Sequence, residues 1–359
     1  MKITRNRSVP DAAEVTAVIP CFNYGHYLEQ AARSVLDQAG VAARVIIVDD
    51  ASTDDSLTVA RRLAAADSRV TVIAHRVNRG HIQTYNDGLD AVQTEFVTLL
   101  SADDLLADGA LGRATALMTA HPTVGMVYGR PVEFTGEAPT GQPRGRTPYS
   151  WTRWQGREWL ALACLRGRCF ILSPEVVMRT AVVRQIGGYN PELPKSGDLE
   201  YWLRTAARWD VGRVNGRVQA YYRQHETNMH AVALPSMAAD IRHRALAFDY
   251  LAGADYAATA ANGPRLVRSA RAALAREAVL LSMRELDAGG SLVAATELRR
   301  AALDVRPPRR GDWRLQRLDS RLRRAWRGES PNGGQRALEQ GRVFLDRVRW
   351  RLWAITGVS

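Results

Sequence analysis

Acidic residues recur in this chain where short apolar runs end. Asp49-Asp50 close the run VIIVDD, Asp103-Asp104 follow FVTLL and two small residues, and Asp198 stands in SGDLEYWLR. Carboxylates gathered in one place repel one another, and removing them from water is costly unless a cation or a donor compensates. The adjacent pair Asp103-Asp104 therefore suits a hard divalent ion. Mg2+ and Mn2+ take oxygen ligands and share them with substrate phosphates. Such an ion would neutralise charge growing on a departing diphosphate. Asp50 could accept a hydrogen bond from a base or ribose, and Phe22 offers an aromatic face to a base.

The elements that must position these residues alternate in type. VTAVIP (15–20), VIIVDD (45–50), Val70 to Ala74 and FVTLL (96–100) are nearly continuous apolar runs, as strands buried on both faces of a parallel sheet require. Met126 to Tyr128 adds another. Helical patterns lie between them. Tyr27 to Gln38 places Leu28, Ala31, Val35 and Leu36 on one face, and Thr53 to Ala65 opens with Asp54 and Asp55, acids that favour a helix start. His81 to Val92 and Asp108 to Ala120 complete the set. This alternation predicts an α/β fold: a Rossmann-type, mostly parallel sheet with right-handed crossovers and flanking helices. Ligands of such sheets bind beyond the carboxyl ends of the strands. Pro20-Cys21-Phe22-Asn23, Asp49-Asp50 and Ser101-Ala102-Asp103-Asp104 all fall there.

The chain has 359 residues, enough for one large α/β domain and an appendage. Residues 136–148 are rich in Gly and Pro and read as an exposed loop. From Ala231 onward the pattern is helical and rich in Ala, Arg and Leu, without strand signals. A catalytic domain over 1–232 and a basic helical region over 233–359 are expected. No GxGxxG follows the first strand and no GxxxxGK[ST] occurs, which argues against a dinucleotide dehydrogenase or a P-loop enzyme. The three cysteines, Cys21, Cys164 and Cys169, suit neither a zinc site nor a disulfide framework.

At this point a family resemblance carries the reading further. The ordered segments VIPCFNYGHYLEQAARSVLDQ (18–38), VIIVDDASTDDS (45–56), NRG (78–80), LLSADDLL (99–106), GGYNPELPKSGDLEYWLR (187–204) and YRQHETNM (222–229) together resemble a family-2 glycosyltransferase of GT-A fold over roughly residues 15–230. The resemblance implies a nucleoside-diphosphate sugar as donor. The acceptor would be a sugar, lipid-linked or other hydroxyl, and transfer would proceed with inversion. It implies that Pro20, Phe22, Asn23, Asp50 and Asp103 line the nucleotide-sugar pocket. Asp103, Asp104 and His225 would hold Mg2+ or Mn2+, and Asp198 would be the catalytic base.

Three positions depart from the family's pattern. Ser101 stands where an Asp often begins the metal motif, Gly197 replaces a Glu before Asp198, and Tyr85 replaces an Arg before Asn86. Two alternatives stay open: a nucleotidyltransferase with a related sheet, although CFNYGH is not its Gly-rich basic loop, and a non-catalytic adaptor of the same fold. Several residues have simpler readings. Asp49, Asn78 and Gly80 shape turns, Cys21 is small and buried, Trp202 packs in the core, and Glu200 either pairs with Arg204 one turn on or replaces Asp198 as base.

Residues 306–359 carry 14 Arg against 5 acids, most of the net charge of +12. Leu315, Leu318, Leu322 and Trp326, and again Leu338, Leu345, Val348 and Leu352, recur at helical spacing among these arginines. Basic amphipathic helices with Trp suit either a membrane surface or packing on the catalytic domain. No nucleic-acid-binding module accompanies the Arg cluster, so nucleic acid is not an expected partner. Residues 1–15 lack the apolar core of a signal peptide, and no stretch of about 18 apolar residues occurs. A cytoplasmic location, peripheral at the inner membrane face, is the expectation.

Overall fold

Strand after strand, residues on both faces are sealed from water. Val15, Ala17, Val18 and Ile19 are fully buried, as are Val45, Ile47 and Val48. Burial on both faces is what a parallel sheet covered by helices demands. The computed structural model describes residues 2–5, 12–137, 139, 149–226, 228, 236–253, 262–308 and 311–329. Its contacts divide the chain into two units, residues 1–159 with 171–226, and residues 160–170 with 227–359.

The first unit holds a ten-stranded sheet. In chain order the elements are β1 (Lys2–Arg5), β2 (Ala13–Cys21), α1 (Gly25–Leu36), β3 (Val41–Asp49), α2 (Ser56–Ala66), β4 (Val70–Ala74), α3 (His81–Asp90), β5 (Phe96–Leu99) and β6 (Leu105–Leu106). They continue with α4 (Ala110–Ala120), β7 (Val124–Phe134), β8 (Ser150–Trp154), α5 (Gly156–Arg166), which runs into the second unit, β9 (Val177–Arg179), α6 (Thr180–Ile186), α7 (Gly197–Ala206) and β10 (Asp210–Arg223). The strand order is β1-β8-β10-β7-β9-β5-β2-β3-β4, with β6 beside β10. The run β4-β3-β2-β5 is parallel throughout. The three-residue β9 lies antiparallel to both β5 and β7. β10 runs parallel to β7 and antiparallel to β8.

The expected α/β architecture with a Rossmann-type sheet is present. The predicted strands and helices all occur, with ends moved by a few residues. The helix expected from Thr53 begins at Ser56, because the Asp54 carboxylate turns back to accept from the Ser56 N–H at 2.9 Å.

In the second unit, the described residues after 235 form α8 (Met237–Asp249), a 3₁₀ turn at Tyr250–Ala252, α9 (Gly263–Ala288), α10 (Leu292–Val305) and α11 (Trp313–Trp326). Ser236 and Ser291 cap α8 and α10, accepting from Ala239 N at 3.2 Å and Ala294 N at 3.1 Å. Leu318 and Leu322 of α11 are buried, while Trp313 and Trp326 at its two ends are exposed. The second amphipathic stretch, 338–352, lies outside the described residues. Among the described residues no helix is long and apolar enough to cross a membrane.

Two glycines report how closely helices approach the sheet. A Cβ at Gly88 in α3 would sit 2.3 Å from Val18 Cγ1 and 3.0 Å from Val48 Cγ2, both on fully buried side chains. At Gly112 in α4 the nearest atom would be 3.5 Å away. Gly88→Ala should therefore cost about 1–3 kcal/mol of unfolding free energy through overpacking. Gly112→Ala should add about 0.5 kcal/mol by lowering unfolded-chain entropy. Urea denaturation of the two variants checks the opposite signs.

Candidate active site

The loops after β2 and β3 are tied to each other. Asn23, in left-handed conformation (φ 60°), accepts at Oδ1 from the Thr53 N–H at 2.8 Å and the Asp54 N–H at 3.3 Å, and its own N–H donates to Ser52 Oγ at 3.0 Å. Asp54 accepts from Gly25 N at 3.1 Å as well as Ser56 N, so one carboxylate serves the first turns of α1 and α2. Asp49 is buried and accepts from Ser52 N at 3.2 Å, a turn-forming role. Pro20 is half-buried within β2. Phe22, just beyond the end of β2, has 44% of its surface exposed and presents an open aromatic face.

Asp50 is buried, and His75 and the NRG segment surround it. His75 Nδ1 lies 2.7 Å from Oδ1, the Arg79 N–H donates to Oδ1 at 2.8 Å, and the Gly80 N–H donates to Oδ2 at 2.9 Å. Burial opposes its charge, but these bonds outweigh burial and hold its carboxyl below the usual carboxylate range. A carboxylate offers about four acceptor positions, so one on Oδ2 is left over. Gly80 has φ 82°, a left-handed turn that aims its N–H at Asp50.

Beyond β5, Arg223 at the end of β10 organises the acidic pair. Its N–H donates to Asp104 Oδ1 at 2.9 Å, and its guanidinium donates to Asp103 O at 2.9 Å, Gly136 O at 2.8 Å and Gln30 Oε1 at 2.7 Å. The guanidinium also stacks over Tyr27 and Phe134, 4.3 and 4.6 Å from their ring centroids. Asp104 thus turns inward. Burial and then the charge of Asp103 push its carboxyl well above the usual range. Asp103 points the other way, with Oδ2 3.0 Å from His225 Nε2. His225 in turn packs against Tyr24 and Tyr27, each 5.6 Å between centroids.

Of the expected ligand trio, Asp103 and His225 meet at one point. Asp104 has its near oxygen committed to backbone. Among the described residues no three His, Cys, Asp or Glu side chains form a group that could hold a metal ion. A divalent ion that shares its shell with substrate phosphates takes only one or two side chains from the protein, and the Asp103–His225 pair meets that requirement.

Asp198 lies in the first turn of α7, where acids are favoured by the helix dipole. Ser173 Oγ donates to its Oδ2 at 2.5 Å, and the Tyr189 hydroxyl is a second partner. Burial raises its carboxyl above the usual range despite these donors. Glu200, the alternative base, is buried and paired with Arg204 at 2.9 Å, the contact expected one turn apart. Trp202 is buried in the core.

Helix α3 connects the three acidic positions. The loop before it clamps Asp50, and its first residue, His81, faces Asp198. Tyr85, one turn on, feels the charges of Asp198, Asp103 and Asp104, which together with burial push its hydroxyl up. Tyr85, His75, Tyr189, Arg223 and Ser173 were not singled out from sequence as site residues. Arg223 and Tyr189 lie inside motifs already quoted; Ser173 carries no sequence signal.

Residues 16–179 match the family model described as glycosyl transferase family 2. Over this segment the chain is similar to family-2 glycosyltransferases. A Campylobacter jejuni relative, GalNAc(5)-diNAcBac-PP-undecaprenol β-1,3-glucosyltransferase, is 32% identical over 117 residues, which is 32% of this chain and 37% of the relative. An uncharacterized Mycobacterium tuberculosis protein is 26% identical over 201 residues, 54% of this chain and 62% of its own length. The chain thus spans less than two thirds of these curated relatives. The crystal structure of Staphylococcus aureus TarS 1-349 in complex with UDP-GlcNAc superposes with a TM-score of 0.60 at 15% identity, over 91% of this chain and 89% of that one. Mannosyltransferase PcManGT from Pyrobaculum calidifontis, in complex with GDP-Man and Mn2+, gives a TM-score of 0.50 at 21% identity, over 91% and 92%. The family-2 fold, GT-A, is the one described above.

Arg223 has the sharpest stability consequence. Arg223→Ala leaves Asp103 O, Gly136 O and Gln30 without their donor. It should lower unfolding free energy by about 3 kcal/mol, since losing hydrogen bonds from a buried charged donor costs roughly 1.5–3 kcal/mol each, partly recovered by water. Chemical denaturation measures it.

Proposed function

We propose that the chain transfers a sugar from a nucleoside-diphosphate sugar to an acceptor hydroxyl, with inversion at the sugar carbon. The observation that supports this reading is α3, whose preceding loop donates to Asp50 and whose Tyr85 feels the charges of Asp103, Asp104 and Asp198. Phe22 stacks on the base, and Asp50 uses its remaining acceptor position for a base N–H. Pro20 and Asn23 shape the floor of that pocket. Bound nucleotides in the TarS and PcManGT structures support a UDP- or GDP-linked donor.

Asp198 removes the proton from the acceptor hydroxyl as its oxygen attacks the sugar carbon. The bond from that carbon to the diphosphate oxygen breaks, and its electron pair leaves with the diphosphate. Positioned general bases contribute on the order of 10²–10⁴ in rate. Mg2+ or Mn2+ held by Asp103 and His225 would supply charge neutralisation to the diphosphate. Asp104 sets the direction of Asp103 through its bond to Arg223 N. The described helices after residue 235 contribute a basic surface. The exposed Trp313 and Trp326, among Arg314, Arg317, Arg323 and Arg324, suit peripheral contact with an anionic membrane. That contact fits a lipid-linked acceptor such as the one in the Campylobacter relative's name.

Because Asp198 must be ionised to act and burial raises its carboxyl, turnover should rise with pH through a midpoint above the ordinary carboxylate range. Asp198→Asn should lose about 10²–10⁴ in transfer while nucleoside diphosphate still binds. Its melting temperature should stay level or rise, since a buried charge is removed. Unchanged turnover would take Asp198 out of its role. In a thermal-shift screen, UDP, GDP or dTDP should stabilise the protein more with Mn2+ than without; no response to any of them would contradict donor binding.

A further inference from the structure

Three described residues other than glycine have left-handed φ: Asn23 at 60°, Ala51 at 58° and Ser173 at 79°. Side chains disfavour this region, and such residues persist where the surroundings over-determine them. Asn23 and Ala51 sit in the loops after β2 and β3, and Ser173 sits in the loop before β9.

That loop is rigid. The Leu172 N–H donates to Glu175 Oε1 at 3.0 Å, the Val176 N–H donates to Ser173 O at 3.0 Å, and Thr98 Oγ1 donates to Val176 O at 2.7 Å. Glycine would adopt φ 79° without strain. What glycine lacks is the hydroxyl, and here that hydroxyl donates to Asp198 Oδ2 at 2.5 Å. The other donor is equally fixed. Asn86 grips the backbone of Tyr189 at both ends, accepting from its N–H at 2.7 Å and donating to its carbonyl at 3.0 Å, and the Tyr189 ring stacks on Tyr201 at 4.3 Å.

We propose that Ser173 is a positioning residue for the base, its hydroxyl orienting the Asp198 carboxylate and keeping it ionised against the pull of burial. The proposal rests on Asp198 being the base. Ser173 keeps its own proton throughout; the proton taken from the acceptor goes to Asp198. The charged and titratable groups facing Asp198 are His81 and Tyr85 from α3, Tyr189 from the loop before α7, and Glu175 from the loop of Ser173 itself. Burial pushes the Glu175 carboxyl up to about 7, so that a second negative charge beside the base is suppressed at lower pH. A hydrogen bond to an ionised carboxylate favours the ionised form, so losing it moves the titration upward.

The test compares Ser173→Ala, Ser173→Gly and Asp198→Asn. Glycine removes the hydroxyl and the backbone strain together, so relief of strain offsets part of the lost hydrogen bond. Carbon-13 NMR of aspartate-labelled protein follows the Asp198 carboxyl, assigned by the signal missing in Asp198→Asn. Its titration midpoint should move to higher pH in both Ser173 variants. Release of nucleoside diphosphate from UDP-N-acetylglucosamine and GDP-mannose should slow about tenfold in kcat with donor KM unchanged, since hydrogen bonds to charged groups have that order of effect. The acid limb of the pH profile should follow the NMR midpoint. A parental midpoint and parental kcat in Ser173→Gly, with Asp198→Asn inactive, would overturn the role of Ser173 and leave the base in place. Full turnover by Asp198→Asn would overturn both.

Discussion

Negative charge beyond the ends of buried strands must be met by donors, and most of this crevice is arranged to meet it. Asp50 takes His75, Arg79 and Gly80; Asp54 takes Gly25 and Ser56; Asp104 takes the backbone of Arg223; Asp198 takes Ser173 and Tyr189. Desolvated carboxylates without such partners would unfold the site or sit protonated. The electrostatic requirement also settles geometry. The donors come from several segments, so satisfying the charges ties loops to one another.

The donors divide the acids by task. Asp54 serves two helix starts, and one oxygen of Asp104 accepts from the backbone at the end of β10. Asp50 keeps one acceptor position, and Asp103 keeps its side chain turned toward His225. The same residues thus separate structural from chemical carboxylates within a few positions of each other. Arg223 is central to that separation, because its backbone turns Asp104 inward while its guanidinium pins the Asp103 carbonyl. Its reach to Gln30 on α1 ties the acidic turn to the first helix.

Much of this was legible in the residues themselves. Continuous apolar runs marked β2, β3, β4 and β5, and the acids at their ends marked the crevice, because a parallel sheet forces that pattern locally. The Glu200–Arg204 pair followed from helical spacing alone. Legibility fails where partners are distant. β8, β9 and the long β10 lie in a stretch without clear periodicity, and β9 has only three residues held between β5 and β7. Asp103 and Asp104 look alike as neighbours, and only the strand carrying Arg223, more than a hundred residues on, tells them apart. Ser173 reaches Asp198 across 25 residues from a loop whose φ no local pattern demands of a serine.

The proposed function requires these separated acids to share one donor site. Crystals grown with Mn2+ and UDP or GDP, measured for the anomalous signal of manganese, test that sharing. One peak is expected within about 2.2 Å of a carboxylate oxygen of Asp103, on the diphosphate, with the base lying between Phe22 and Asp50. Nucleotide and manganese bound away from β2, β3 and β5, or manganese held by Asp104 with Asp103 turned from it, would contradict it.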